Sequence, residues 1–149
     1  MLFRSVEKLN DAFFSLAEKK NLDVIIVDTH PGINEETLLS TAISDALIMV
    51  MRPDSQDYLG TAVALEVAQR LEVPDARLVV NKLPAHFDAE QVRARVQEAY
   101  SIPLGAVLPL SEELLSIASG SLAVIDFPEH AWSQGVQQLA AQLTADLAG

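Results

Sequence analysis

Short apolar runs alternate along this chain with segments whose apolar residues repeat at helical spacing. Four of the runs have the length and composition of buried β-strands: residues 24–27, 46–51, 77–81 and 105–108. Strands that alternate with helices are joined by right-handed crossovers, which give a parallel sheet covered by helices. The sequence therefore predicts an α/β fold with a doubly wound, mainly parallel sheet.

The helical segments carry their own boundary signals. Apolar residues repeat on one face of the first predicted helix: Val6, Leu9, Phe13 and Leu16. The last predicted helix has a similar face: Val136, Leu139, Ala140, Leu143 and Leu147. Capping residues precede three other helices: Asn34, Asp88 and Ser111. These signals predict helices on both sides of each apolar strand.

Composition narrows the possible functions. With 149 residues, half of them apolar, the chain is predicted to be a single domain, residues 1–149. The formal charge of −11 opposes direct binding to nucleic acid or to anionic lipid. The sequence contains no cysteine, which excludes disulfides and thiolate metal sites. It also lacks a signal peptide and any apolar run of the ~20 residues that span a membrane. We therefore expect a soluble, cytoplasmic protein.

The run 24–27 leads into the segment Asp28-Thr29-His30-Pro31-Gly32. Open α/β sheets bind ligands at the carboxyl ends of their strands, although an aspartate there is also typical of a turn or a helix cap. The apolar strand ending in Asp-Thr-x-Pro-Gly resembles the Walker B and switch region of the MinD/ParA branch of P-loop ATPases. Two later segments, residues 79–84 and 107–113, resemble the purine-side loops of the same family.

The resemblance implies a set of nucleotide-site residues. Asp28 would hold Mg²⁺, which is usually bound by one or two carboxylates and by phosphate oxygens of ATP. Gly32 would let the backbone approach the γ-phosphate. The resemblance assigns five residues to the purine side: Asn81, Pro84, Pro109, Ser111 and Glu112. Asn81 offers adenine both a donor and an acceptor, although an asparagine is also a common loop residue. No catalytic residue is assigned.

The phosphate-binding loop of the family is absent from the sequence. This loop needs G-x-x-x-x-G-K-[ST], and none of the six glycines here precedes a lysine. We therefore expect neither Mg²⁺ nor ATP to be bound by this chain alone, and we expect no ATP hydrolysis by it. In the family, the strand before this loop lies beside the Walker B strand, so its absence would expose strand edges. We expect these edges to be covered by self-association or by another polypeptide, such as an N-terminal P-loop half in trans.

Two functions remain open at the level of sequence. In the first, the chain is the C-terminal part of a MinD/ParA-like ATPase in cellular positioning, partitioning or septum-site regulation, inactive on its own. In the second, it is a nucleotide-independent protein-interaction or regulatory module derived from that fold. Residues 131–149 contain no lysine or arginine, unlike the basic membrane-binding helix of the MinD branch. We therefore expect a protein partner rather than a membrane or nucleic acid.

Overall fold

The computed structural model describes residues 2–117 and 120–145, with side chains from residue 7 onward. Seven helices and three strands lie within these residues. In chain order they are α1 (Leu2–Lys20), α2 (Glu35–Ala42), β1 (Ala46–Met51), α3 (Ser55–Arg70), β2 (Asp75–Leu83), α4 (Ala89–Tyr100), β3 (Leu104–Pro109), α5 (Glu112–Ile117), α6 (Ala123–Asp126) and α7 (Ala131–Thr144). Leu147, which was predicted to lie on the face of the last helix, is outside the described residues.

The three strands form an open parallel sheet in the order β1-β2-β3. Leu78 pairs with Leu104 at the start of the β2–β3 ladder, and Leu83 pairs with Pro109 at its end. Helix α7 packs on β3 through a cluster of apolar side chains. The cluster contains Val79, Ala106, Leu108 and Leu139, with Trp132, Val136 and Leu143 packed against it. The predicted fold class, a mainly parallel sheet with flanking helices, is confirmed.

The chain divides into two compact units. The first contains Met1–Leu47 and Val63–Asp75, and the second contains Ile48–Ala62 and Ala76–Gly149. Most of the buried side chains belong to the second unit, in which Leu78, Val80 and Val96 have no exposed surface. Buried residues are scarce in the described part of the first unit: Thr41, Leu65 and Ala68.

Local sequence signals account for the helix ends. Helix α1 stops at Lys20, because Asn21 adopts a left-handed conformation with φ of 52°. Asn34 caps α2, with its Oδ1 atom accepting a hydrogen bond from the Thr37 amide at 2.9 Å. Asp88 caps α4 in the same way, through the amides of Glu90 and Gln91.

The prediction of a buried strand at residues 24–27 is wrong for this structure, so the predicted four strands become three. Residues 24–30 have no helix or strand hydrogen bonding. Val24 and Val27 are nearly half exposed, and Ile26 is 89% exposed. Apolar composition indicates a tendency to be buried, but a strand also needs a neighbouring strand to receive its backbone hydrogen bonds. None of the described residues pairs with this run.

Within the part of the chain that the structure describes, strand β1 lies at the edge of the sheet, with β2 as its one neighbour. Exposed and half-buried residues alternate along it until Met51, which is buried. Its exposed face includes Ile48 and Val50, the latter 63% exposed. Within the described residues, no helix is long and apolar enough to cross a membrane.

Candidate nucleotide site

The Asp28 loop lies in the first unit, where it borders a cavity of about 190 Å³. The cavity is lined by Val27, Asp28, Thr29, His30, Glu36, Thr37 and Ser40. Helix α2 supplies the last three residues, and the loop is tied to that helix by a long hydrogen bond of 3.5 Å from Thr37 Oγ1 to the His30 carbonyl. The sequence reasoning missed Glu36, Thr37 and Ser40 as cavity residues. Their spacing on one helical face after the loop is the signal that could have identified them.

The residues around Asp28 fit part of a magnesium site. Its carboxylate is exposed and borders the cavity, so a cation can reach it. The described residues contain no group of three or more His, Asp or Glu side chains that could enclose a metal ion. Magnesium commonly takes one or two carboxylates and completes its shell with water and phosphate oxygens. Asp28 therefore suits one ligand position, and the remaining ligands would have to come from nucleotide and water.

The same cavity is too small to enclose ATP. Pockets that enclose small-molecule ligands typically measure about 300–1,000 Å³, whereas this cavity measures about 190 Å³. The described part of the first unit can therefore contact a phosphate or its metal, but it cannot enclose a whole nucleotide.

Gly32 has a backbone conformation that favours glycine. Its φ is +100°, and a Cβ atom built at this position meets no heavy atom within 4 Å. The requirement is therefore conformational and does not come from crowding. The open space beside Gly32 also leaves its backbone accessible, as its predicted role beside a phosphate requires.

The purine-side residues lie in the second unit, around the carboxyl ends of β2 and β3. Leu83 pairs with Pro109, and the Leu110 amide donates a 2.8 Å hydrogen bond to the Leu83 carbonyl. Pro84, which directly follows Leu83, is therefore at the same edge of the sheet as Pro109. The structure therefore places the two prolines at one edge of the sheet, and their role on the purine side stays a prediction.

Ser111 and Glu112 begin helix α5 beside this edge. Ser111 Oγ accepts a 3.2 Å hydrogen bond from the Leu114 amide, which confirms its predicted capping role. Its hydroxyl proton can still be donated to a ligand. Glu112 is exposed in the first turn of α5, where the helix dipole favours a carboxylate. Both residues therefore have a structural role whether or not nucleotide binds.

Asn81 lies near the end of β2, where the strand is irregular. The β2–β3 register shifts between Val80 and Leu83, and Lys82 has a positive φ of 57°. Asn81 Oδ1 accepts hydrogen bonds from the Lys82 amide at 2.8 Å and from the Trp132 indole at 3.4 Å. Its side-chain amide nitrogen has no partner among the described residues. Asn81 can thus donate to a purine, while its carbonyl oxygen is already used within the fold.

The contact with Trp132 was not predicted from the sequence. The two residues are 51 positions apart, and no local pattern links a strand-end asparagine to a tryptophan on the last helix. Trp132 is held at the start of α7 by a cap that was also missed, in which His130 Nδ1 accepts a 3.0 Å hydrogen bond from the Trp132 amide. His130 therefore has a structural role in the helix cap.

A second cavity, of about 270 Å³, lies wholly in the second unit. Its lining residues are Pro53, Tyr58, Phe87, Asp88, Gln91, Val92 and Arg95. The Tyr58 ring stacks on Tyr100, with ring centroids 5.9 Å apart, and the Arg95 guanidinium lies 5.3 Å from the Tyr58 centroid. Burial raises the pKa of Tyr100, and the neighbouring Tyr58 raises it further. This aromatic arrangement fixes the start of α3 against α4.

The turn after β1 is held by ionic contacts. Arg52 forms ion pairs with Asp54 at 3.3 Å and with Asp57 at 3.2 Å. The hydrogen bond from the Arg52 side chain is the main cause of the lowered pKa of Asp57, and a second bond from the Arg52 backbone amide adds to it. Arg52 thus has two carboxylate partners within the turn, which gives the Arg52-Pro53-Asp54 segment a structural explanation.

No protein-family model matches the chain. Among curated proteins, an uncharacterized ATP-binding protein of Methanocaldococcus jannaschii is 24% identical over 138 residues, which cover 92% of this chain and 51% of that protein. A putative septum site-determining protein MinD of Emiliania huxleyi is 27% identical over 124 residues, covering 80% of this chain and 45% of that protein. The chain spans about half the length of the curated relatives it matches.

The fold is also similar to solved structures. The MinD cell division protein of Aquifex aeolicus has a TM-score of 0.78 at 16% identity, covering 94% of this chain and 61% of that one. MinD in the MinC:MinD complex of the same organism has a TM-score of 0.82 at 17% identity, covering 94% and 59%. At these identities the structural matches establish the P-loop NTPase fold. Sequence relatives and structural neighbours thus agree that the chain is MinD/ParA-like.

Proposed function

We propose that this chain supplies the magnesium side and the purine side of a MinD/ParA-like ATPase that acts in cellular positioning, partitioning or septum-site regulation. In this proposal residues 1–149 form one such domain, and they do not hydrolyse ATP on their own because the sequence contains no P-loop. The main support is the position of Pro84 and Pro109 at the carboxyl ends of two paired strands, with Asn81 three residues before Pro84 on the same strand end.

Each proposed contact uses a group that the fold leaves available. Asp28 would bind Mg²⁺ through one carboxylate, and the Gly32 backbone would lie beside the phosphates. Asn81 would donate from its side-chain amide to a ring nitrogen of adenine, between walls formed by Pro84 and Pro109. Lysine and backbone amides that neutralise the phosphates would have to come from a P-loop, because electrostatic stabilisation dominates phosphoryl transfer.

We also propose that the chain works with a protein partner. MinD in one structural neighbour is bound to MinC, so this fold can present a protein-binding surface. A formal charge of −11 supports a protein partner over nucleic acid or an anionic membrane. An N-terminal half that carries the P-loop, supplied in trans, is one such partner.

Adding a P-loop polypeptide tests the half-site. The chain is mixed with a polypeptide that carries an apolar strand, the loop G-K-G-G-x-x-K-[ST] and its helix, and Mg-ATP binding is measured by calorimetry. We expect binding by the mixture and none by either component. Asp28→Asn should remove the dependence on Mg²⁺, and Asn81→Ala should weaken the selectivity for adenine. Asp126→Asn, an exposed carboxylate on α6, is the matched control and should change neither.

Two results would contradict the proposal. Micromolar binding of Mg-ATP by the chain alone would show that it binds nucleotide without a P-loop. If the chain and the P-loop polypeptide associate but their complex does not bind ATP, the half-site is not functional.

The alternative function, a nucleotide-independent interaction or regulatory module, is favoured by one observation. The Asn81 carbonyl is already used by Lys82 and Trp132, so this residue has a structural role without any nucleotide. Under the alternative, Asn81→Ala lowers the free energy of unfolding by roughly 0.5–1.5 kcal/mol, and ATP changes neither stability nor partner binding. Thermal unfolding with and without Mg-ATP, in the presence of the P-loop polypeptide, separates the two functions.

A further inference from the structure

Two hydrogen-bond donors converge on the side-chain oxygen of Asn81. The Lys82 amide donates to Oδ1 at 2.8 Å, and the Trp132 indole nitrogen donates to it at 3.4 Å. A backbone N–H and an indole N–H can only donate, so each needs an acceptor. Turning the Asn81 amide by half a turn would place its NH2 group against both donors and leave both without a partner. The two neighbours therefore determine which way this amide faces.

The fold holds both donors in place. Lys82 has a φ of 57°, a left-handed conformation that residues other than glycine seldom adopt, at the point where the β2–β3 register shifts. Backbone strain of this kind clusters at ligand sites. Trp132 packs against the apolar cluster of β2, β3 and α7, and its own amide donates to His130 Nδ1 at 3.0 Å. Neither donor can leave Asn81 without a change in the surrounding structure.

We infer that Trp132 is a positioning residue that fixes the Asn81 amide, so that Asn81 recognises a purine through an acceptor nitrogen of the ring and does not read the exocyclic amino group. An asparagine that is free to turn can donate and accept at once, and this bidentate contact reads the amino group of adenine together with a ring nitrogen. The Asn81 oxygen has two lone pairs and already accepts from two donors. Only its NH2 group, which has no partner among the described residues, is available. This inference rests on the proposed function.

A nucleotide analogue tests which atoms of the base Asn81 reads. Purine riboside triphosphate lacks the exocyclic amino group of ATP and keeps the ring nitrogens. Binding of each nucleotide with Mg²⁺ to the mixture of the chain and the P-loop polypeptide is measured by calorimetry. Asn81→Ala should weaken both nucleotides by the same factor, about fivefold for one lost hydrogen bond. A larger loss for ATP than for the analogue would overturn the inference, because Asn81 would then read the amino group.

A double-mutant cycle tests whether Trp132 acts through Asn81. Trp132→Phe keeps an aromatic ring and removes the indole N–H, so the Asn81 amide loses one of the two bonds that orient it. We expect the mixture to bind ATP about two- to fivefold more weakly. In a chain that already carries Asn81→Ala, the same substitution should have no further effect, because the group that Trp132 positions is gone. Gln138→Ala, at an exposed position on α7, is the matched control and should leave the affinity unchanged.

A purely structural role of Trp132 gives a different result in this cycle. Trp132→Phe would then weaken ATP binding equally with and without Asn81→Ala, and that outcome would overturn the inference. Asn81→Asp separates the two roles of Asn81 itself. Its carboxylate still accepts from Lys82 and Trp132 but cannot donate, so the thermal unfolding midpoint should be kept while ATP binding is weakened at least about fivefold. Wild-type affinity in Asn81→Asp would also overturn the inference.

The indole proton reports the contact without nucleotide and without the P-loop polypeptide. The chain has one tryptophan, so a nitrogen–proton correlation spectrum contains one indole resonance. This resonance should shift and exchange faster with solvent in Asn81→Ala, which removes the acceptor, and it should remain protected in Asn81→Asp. An indole resonance unaffected by Asn81→Ala would overturn the inference alone. If the resonance behaves as expected and the wild-type mixture binds no Mg-ATP, the proposed function fails and this inference fails with it.

Discussion

The hydroxyl of Tyr100 makes a hydrogen bond whose contribution to stability can be measured separately. It donates to the Tyr58 carbonyl at 2.7 Å, and Tyr100 is only 8% exposed. Tyr100→Phe removes this bond and keeps the stacked rings. A neutral hydrogen bond contributes about 1 kcal/mol net. With a urea m-value of about 2 kcal/mol/M, that loss lowers the unfolding midpoint by about 0.5 M.

The same hydrogen bond makes the stability lost in Tyr100→Phe dependent on pH. Burial raises the pKa of Tyr100 above its ordinary value of 10.0. The stabilisation is therefore complete below the unfolded pKa and is lost as pH rises through the folded pKa, where the phenolate can no longer donate. The difference in free energy of unfolding between wild type and Tyr100→Phe should be present at about pH 8 and smaller at about pH 11.

Tyr58→Phe is the matched control, because it removes one hydroxyl from the other stacked ring. The Tyr58 hydroxyl has no hydrogen-bond partner among the described residues, and its backbone carbonyl remains. We expect little change in its urea midpoint at about pH 8. The reasoning would be refuted if Tyr58→Phe lost as much stability as Tyr100→Phe, or if the effect of Tyr100→Phe were the same at both pH values.

Three further predictions concern the caps, turns and glycines. Asn34→Ala should lower the free energy of unfolding by about 1 kcal/mol, because α2 loses its N-cap; an unchanged urea midpoint would contradict this. The Arg52 side chain lowers the pKa of Asp57 below 3.8, so its stabilisation is present above that pH and is lost as pH falls through the folded pKa. In Asp57→Asn the free energy of unfolding, measured by circular dichroism, should therefore fall less steeply as the pH is lowered into the acid range. An unchanged dependence on acid pH would count against the ion pair. Gly32→Ala should destabilise by at least about 1 kcal/mol, whereas Gly60→Ala, in the open interior of a helix, should stabilise by about 0.5–1 kcal/mol; thermal unfolding that gave both changes the same sign would exclude this explanation.

Sequence predicts the features of this fold that depend on neighbouring residues. Asn34, Asp88 and Ser111 cap helices where they were expected, because a cap is a contact within three residues. The strand at Ala46–Met51 was predicted with its observed bounds. Apolar runs bounded by turn residues are sufficient for such assignments.

Features that depend on distant partners were not predictable in the same way. The run 24–27 is as apolar as a buried strand, but strand formation depends on a neighbour that its own sequence does not specify. The purine-side residues were identified through their resemblance to a family, whereas the bond between Asn81 and Trp132 joins residues on separate elements. The composition of a segment indicates how strongly it favours burial, and the rest of the fold determines whether it becomes buried.

Trp132 is the only tryptophan in the chain, and its indole donates a hydrogen bond to Asn81 at the proposed adenine contact. Its fluorescence is therefore a built-in optical reporter of that position, without any added label. A ligand that draws the Asn81 side chain toward itself would weaken the 3.4 Å indole bond and shift the emission of this single fluorophore. The residue that joins α7 to the end of β2 thus offers a spectroscopic readout of purine binding in the intact chain.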